Sequence, residues 1–147
     1  MRLFICEKPS QARDIANAMD ESFEKEDGFL TSGSTVISWC FGHLLELAPP
    51  DDYCENLKPW RVSVLPVIPE KWVLKPQAKT KKQLNVIGKL LKKASMVVIA
   101  TDADREGDVI GREVLDYFSY TGDVKRLWLS ALDEVSVKKA LNDIRPG

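Results

Sequence analysis

The segment Met96–Ala100, MVVIA, constrains the fold more than any other: it is an unbroken apolar run of strand length that ends abruptly in the acids of TDADREGD. A strand on the surface of a sheet alternates apolar and polar residues. A run that is apolar at every position needs cover on both faces, as in a parallel sheet layered between helices. The flanks agree. Lys79–Ala94 repeats Leu84, Ile87, Leu91 and Ala94 at helical spacing, with Lys81, Lys82, Lys89, Lys92 and Lys93 away from that face. A helix is expected from about Glu106 to Phe118. At the start of the chain, Arg2–Cys6 is β-compatible and Pro9 stands where a first helical turn tolerates proline. That predicts a strand, a turn and a helix over about Pro9–Met19, with Ala12, Ile15, Ala16 and Met19 inward. A strand at Arg126–Leu129 and a helix from Asp133, its N-cap, to about Asp143 continue the alternation. Strands alternating with helices predict an α/β fold, a parallel sheet flanked by helices.

The middle of the chain departs from this pattern. Charges dominate Glu21–Asp27, which reads as a loop, and Phe29–Thr31 and Thr35–Cys40 flank Ser32-Gly33-Ser34 as a hairpin would. Six of the eight prolines fall between Pro49 and Pro76, together with Trp60 and Trp72, a composition for extended chain anchored by aromatics. One domain over 1–147 is expected, with a proline-rich, β-containing insertion at about 28–78. The formal net charge is −1, so any contact with nucleic acid has to rest on local patches. Cys6, Cys40 and Cys54 are odd in number and widely spaced, which argues against a disulfide framework or a zinc site and fits a reducing, cytoplasmic setting. No apolar run nears the roughly 18 residues a membrane span needs, and MRLFICEKPS is charged too early for a signal peptide.

Chemistry concentrates at two strand ends. After MVVIA come Asp102, Asp104 and Glu106, alternating into the turn before a helix. If that turn stays extended, residues two apart point the same way and the carboxylates converge. Such crowding is unfavourable without a cation. In open parallel sheets ligands gather at the carboxyl ends of strands, and Mg²⁺ takes a few carboxylates plus water and phosphate oxygens. The competing reading is plain helix capping by Asp102 or Asp104, worth roughly 0.3–1 kcal/mol for each acid near a helix N-terminus. Glu7-Lys8 closes the first strand in the same way. If the two strands are neighbours, roughly 4.8 Å apart, Glu7 faces the Asp102 and Asp104 pair.

FICEKPSQA near the start and TDADREGD later in the chain resemble the Toprim signature of type IA DNA topoisomerases. EKPS, ISWCFGHLLEL, LPVIPEKW and KQLNVIGKLL narrow the resemblance to the bacterial topoisomerase III branch. The resemblance covers essentially the whole chain and implies a Rossmann-like Toprim sheet. It implies that Glu7 is the general acid and base serving a sugar 3′ oxygen and that Lys8 stabilises the scissile phosphate. Asp102 and Asp104, with Glu7 and Glu106, would hold Mg²⁺, for which Mn²⁺ could substitute. Arg105 would support DNA or the acidic cluster; His43, in the F-G-H-L segment, would touch DNA, brace the acidic site or simply hydrogen-bond within the fold. The implied partners are single-stranded DNA and the remaining domains of a longer chain, since the nucleophilic tyrosine of such enzymes lies in a Y-P-R-T-like context that Tyr53, Tyr117 and Tyr120 lack. Without it, the piece in hand is expected to be inactive alone.

Toprim modules of nucleases and primases are rival readings, as is a non-catalytic Toprim module that only organises DNA or partners. The first two should lack the EKPS, FGHLLEL and PEKW context, and retention of Glu7, Asp102, Asp104 and Glu106 argues against the third. No G-x-x-x-x-G-K-[ST] is present, which removes a P-loop hydrolase.

Overall fold

The computed structural model describes residues 1–58 and 61–147; Trp60, expected as a packing anchor, lies outside them. The chain opens with β1 (Arg2–Cys6) and α1 (Pro9–Ala18), then makes β2 (Glu24–Glu26), β3 (Phe29–Ser32) and β4 (Thr35–Trp39). An excursion follows between β5 (Leu45–Leu47) and β6 (Leu74–Pro76), containing the one-turn helix α2 (Pro50–Tyr53). The chain returns through α3 (Lys81–Leu91), β7 (Met96–Ala100), α4 (Arg105–Tyr117), β8 (Asp123–Arg126), α5 (Glu134–Asn142) and β9 (Arg145–Pro146). Seven strands form one sheet in the order β2-β3-β4-β1-β7-β8-β9, parallel from β4 through β8 and closed by antiparallel partners at both edges.

The apolar run of β7 is explained by two cores. Val97 and Ile99 pack with Leu3 and Ile5 of β1 against α3 and α4, through Leu84, Ile87, Ile110 and Val114. Val98 and Ala100 pack with Phe4 and Cys6 against α1 and α5, through Ala12, Ile15, Val137 and Ala140. Successive residues of one strand thus serve opposite helix layers, and each valine, leucine, isoleucine or phenylalanine so buried contributes about 1.5–3 kcal/mol.

Four expectations change. The charged Glu24–Glu26 is a strand, not a loop: fully exposed, it pairs only with β3, and its alternating charges suit a sheet edge that must not recruit another chain. The hairpin expected within an insertion over about 28–78 belongs to the main sheet, with β4 paired in parallel to β1 along its whole length. The excursion proper lies between β5 and β6, whose antiparallel pairing joins its two ends. The strand expected at Arg126–Leu129 ends its ladder at Arg126, with one further bond from Leu127 N to Ile99 O at 2.9 Å. The strand itself lies earlier, at Asp123–Arg126, and the buried Leu127 and Leu129 beyond it mark packing onto the α1 and α5 layer. Finally β9 pairs with β8 as a short edge strand ending in proline, which tolerates an edge because it has no N–H to offer a ladder. Among the described residues no helix is long and apolar enough to cross a membrane.

Candidate metal and phosphate site

The connections run from β1 outward to β4 and then back across to β7, so β1 and β7 are neighbours at the point where the winding reverses. Crevices at such reversals, outside the carboxyl ends of the strands, are where open α/β sheets bind ligands. The register pairs Cys6 with Ala100, which brings Glu7-Lys8 and Thr101-Asp102 side by side. The two strands are neighbours, the condition under which Glu7 is expected to face the aspartates. Glu7 Oε2 accepts from the Asp102 amide at 3.3 Å, and Lys8 Nζ lies 3.5 Å from Asp102 Oδ2.

Gln11 completes this corner, and the sequence reading missed it. It is fully buried on α1; its Oε1 accepts from the Glu7 amide at 2.8 Å, and its Nε2 donates to Asp102 Oδ1 at 2.9 Å. One side chain thus ties the backbone of one strand end to the carboxylate of the other. A signal existed, because Gln11 lies four residues before Ile15 and so shares its inward helical face, where an amide needs partners.

The second half of the site is the start of α4. Asp104 is its N-cap, with extended backbone and Oδ1 accepting from Gly107 N at 2.7 Å. The capping reading is thereby met for Asp104. The helix begins at Arg105, so Glu106 lies in helical rather than extended chain, and the two-residue alternation expected of the three acids does not reach it. Arg105 and Glu106 are exposed in that first turn. Thr101, buried, donates from Oγ1 to Gly107 O at 2.6 Å. Gly107 has no alternative: a Cβ there would overlap the Asp102 carbonyl oxygen.

Beneath the turn lies Arg126, also unforeseen, which is 5% exposed. Its Nη1 donates to the carbonyls of Ile99 (3.1 Å), Thr101 (2.9 Å) and Leu127 (3.3 Å), and its Nη2 to that of Asp102 (2.7 Å). Burial pulls its pKa below the usual arginine value, an effect that nearby Asp108 opposes. In sequence Arg126 is only the first residue of an expected strand, and nothing local to it marks the four carbonyls that converge on it.

His43 has its side-chain hydrogen bond with a different acid, Nδ1 lying 2.8 Å from Glu113 Oε2 on α4. That contact braces the Phe41-Gly42-His43 loop, whose Gly42 amide donates to Glu7 O at 3.3 Å. The two buried cysteines offer no thiolate: burial and then the Glu7 charge push the Cys40 thiol up to about 12, and burial raises Cys6 as well. The tyrosines sit elsewhere. Tyr117 and Tyr120 lie at the far end of α4 from Asp104, and the Tyr53 hydroxyl accepts from Val73 N in the excursion.

Glu7, Asp102 and Asp104 supply hard oxygen donors, each with one oxygen occupied in holding the fold and the other not so used among the described hydrogen bonds. Among the described residues no three His, Cys, Asp or Glu side chains come together as a ready metal cage. Donors of this kind, few and open to water, fit Mg²⁺, which keeps several waters and takes substrate phosphate oxygens; they do not fit a zinc site. The corner opens into a cleft of about 410 Å³ whose lining includes Lys8, Asp102, Asp104 and Trp128. A larger cleft of about 840 Å³, with Arg105, Arg112 and Arg126 in its walls, shares Asp104 and Trp128 with it.

A reversal point at the carboxyl ends of parallel strands, with a glutamate on one strand end and spaced aspartates on the next, defines the class: the chain belongs to the Toprim domain family, whose model matches residues 2–132. Among the relatives it resembles in sequence are DNA topoisomerase 3 from Haemophilus influenzae, 44% identical over 99% of this chain, and from Vibrio cholerae, 44% identical over 98%. It spans 23% of the length of each. In fold it is similar to full-length topoisomerase I from Thermotoga maritima, with a TM-score of 0.62 and 17% identity over 98% of this chain and 21% of that one.

Proposed function

We propose that this chain is the metal-binding, phosphate-facing part of a type IA DNA topoisomerase of the topoisomerase III kind, working on single-stranded DNA with Mg²⁺ as a single Toprim domain of a longer cytoplasmic protein. The observation that carries the reading is the corner where Glu7 accepts from the Asp102 amide while Lys8 lies 3.5 Å from the outer Asp102 oxygen. A carboxyl, an ammonium and a cation-seeking carboxylate thus meet at one corner beside the cleft, which suits a phosphodiester whose leaving oxygen needs a proton.

In this reading Lys8 shifts from Asp102 to a phosphate oxygen, where its charge stabilises the crowded phosphorus centre. Glu7 gives a proton to the departing 3′ oxygen during cleavage and takes it back during rejoining. The nucleophile, a tyrosine hydroxyl, comes from outside this chain. Asp102 and Asp104, with Glu7 and Glu106 at the rim, would hold the divalent ion, which when bound adds positive charge to position and neutralise the phosphate. Arg105 and His43 are assigned to DNA contact at the margins.

The test is calorimetric and enzymatic. Mg²⁺ or Mn²⁺ should raise the melting temperature of this chain, and Asp102→Ala with Asp104→Ala should abolish the rise; an unchanged rise in that double variant would sink the metal assignment. The chain alone should leave supercoiled plasmid unrelaxed with or without Mg²⁺, and metal-dependent relaxation would overturn the claim that the tyrosine comes from elsewhere.

A further inference from the structure

We propose that Arg126 is a positioning residue: its buried guanidinium fixes the backbone of the Asp102 turn and thereby sets the direction in which the Asp102 carboxylate meets a divalent cation. The inference rests on the metal reading above and deepens it by naming what holds the ligand still.

A guanidinium removed from water needs partners for its five N–H groups, and the usual solution is a bidentate carboxylate. Arg126 takes another course. Its nearest carboxylate oxygen, on Asp108, is 3.8 Å from Nε, beyond hydrogen-bond distance, and that buried Nε has no hydrogen-bond partner. The two terminal nitrogens instead serve carbonyls at the ends of β7 and β8, where the ladder stops; of these, the Ile99 oxygen also accepts from Leu127 N. The shortest of these bonds, 2.7 Å, is to Asp102 O, the oxygen for which Gly107 leaves room.

Asp102 is therefore held at three atoms: its amide by Glu7, its carbonyl by Arg126 and its inner carboxylate oxygen by Gln11. Only Oδ2 faces outward, toward Lys8. The two cations differ in kind. Lys8 is 46% exposed and can yield Oδ2 to a metal ion, whereas Arg126 is sealed in and cannot follow. A lysine at position 126 would carry the same charge but not the planar fork that spans several carbonyls, so it separates geometry from charge.

The decisive experiment uses the ¹⁵N-labelled chain as wild type, Arg126→Lys and Leu90→Ala, the last a core truncation in α3. Without metal, Arg126→Lys should speed hydrogen exchange of the Asp102 and Gly107 amides at least tenfold relative to wild type and leave Leu3–Ile5 unchanged. In a Mg²⁺ titration followed by the amide shifts of residues 102–104, Arg126→Lys should need at least ten times more Mg²⁺, while Leu90→Ala stays within twofold of wild type. Exchange and Mg²⁺ midpoint both within twofold of wild type in Arg126→Lys would overturn the proposal, as would equal losses in Leu90→Ala. If wild type shows no Mg²⁺-dependent shift, the metal reading falls, and the exchange comparison still decides whether Arg126 fixes the turn. Should Arg126→Lys fail to fold, the wild-type guanidinium decides: its Nη–H groups, which make the bonds, should be resolved and slowly exchanging, and exchange as fast as that of exposed Arg13 would refute the clamp.

Discussion

Two helices of this protein begin in the same way and come to different ends. At α4 the Asp104 carboxylate accepts from the amide three residues on, Gly107, at 2.7 Å; at α5 Asp133 does the same with Ser136 at 3.0 Å. Both are N-caps with an extended residue at the turn and acids in the first helical turn. Viewed only as local chemistry they are equivalent, each satisfying an orphan N–H and meeting the positive end of a helix. What separates them is tertiary. Around Asp104 the turn is fastened by Thr101, Gly107 and Arg126 and opens beside Lys8 and Glu7, whereas Asp133 stands in exposed chain. A cap becomes part of a site when the surrounding fold spends buried polar groups on fixing it.

The sharpest way to break that contrast is at the position three beyond each cap. Gly107→Ala should destabilise the chain by about 3 kcal/mol, the upper range for overpacking, because its Cβ would meet backbone rather than a side chain that can swing away. Ser136→Ala removes one partly buried hydroxyl that hydrogen-bonds to the Asp133 carboxyl and adds no atom near the backbone, so it should stay within about 1 kcal/mol of wild type. Urea denaturation of both variants checks this. Equal midpoints would mean that the Asp102 turn relaxes as freely as the start of α5.

Next in size is Gln11→Leu. It preserves bulk on the inward face of α1 but leaves the Glu7 amide and the inner Asp102 oxygen without their partner, a loss of about 1–3 kcal/mol. The variant should also weaken the Mg²⁺-dependent rise in melting temperature, since Asp102 loses one of its three restraints. No residue of the α5 cap should have that second effect, and Asp133→Ala is the control.

How far these contrasts were legible beforehand follows from the range of each interaction. The layered sheet was readable because burial on both faces writes itself into every residue of MVVIA, and the acids after it were conspicuous by type and spacing. The Asp133 cap was equally plain, being three residues wide. Gln11, Gly107 and Arg126 act on atoms contributed by other elements, and a single residue carries no mark of which carbonyl it will meet. The β5–β6 pairing escaped for a related reason: Leu45–Leu47 and Leu74–Pro76 lie far apart in sequence, and neither is long enough to show a period. The charged β2 was misread because an edge strand needs no apolar side, so its composition is that of a loop.

The excursion offers a third comparison, with a smaller expected effect. Trp72 is half exposed and meets Tyr53 edge-on with ring centroids 6.3 Å apart, and Lys75 pairs with Asp52 across the same region. None of these contacts reaches the acidic corner. Trp72→Ala should therefore cost about 0.5–1.5 kcal/mol of aromatic pairing at most, with the Mg²⁺ response intact. A lost metal response in Trp72→Ala would show that the excursion supports the site after all.

The smallest effect is a pH dependence that belongs to the α5 cap. Hydrogen bonds from Ser136 hold the Asp133 carboxyl below its ordinary range. A carboxyl whose folded pKa is depressed stabilises the fold above its unfolded value of about 3.9, and that contribution fades as pH falls through the lower folded value. Wild type should therefore exceed Asp133→Ala in urea midpoint between pH 5 and 7, and the gap should shrink below about pH 4, where both carboxyl states begin to fill. A gap that held constant into acid would mean that the cap acts through backbone shape rather than charge, and the two helix starts would differ even at the level where they look alike.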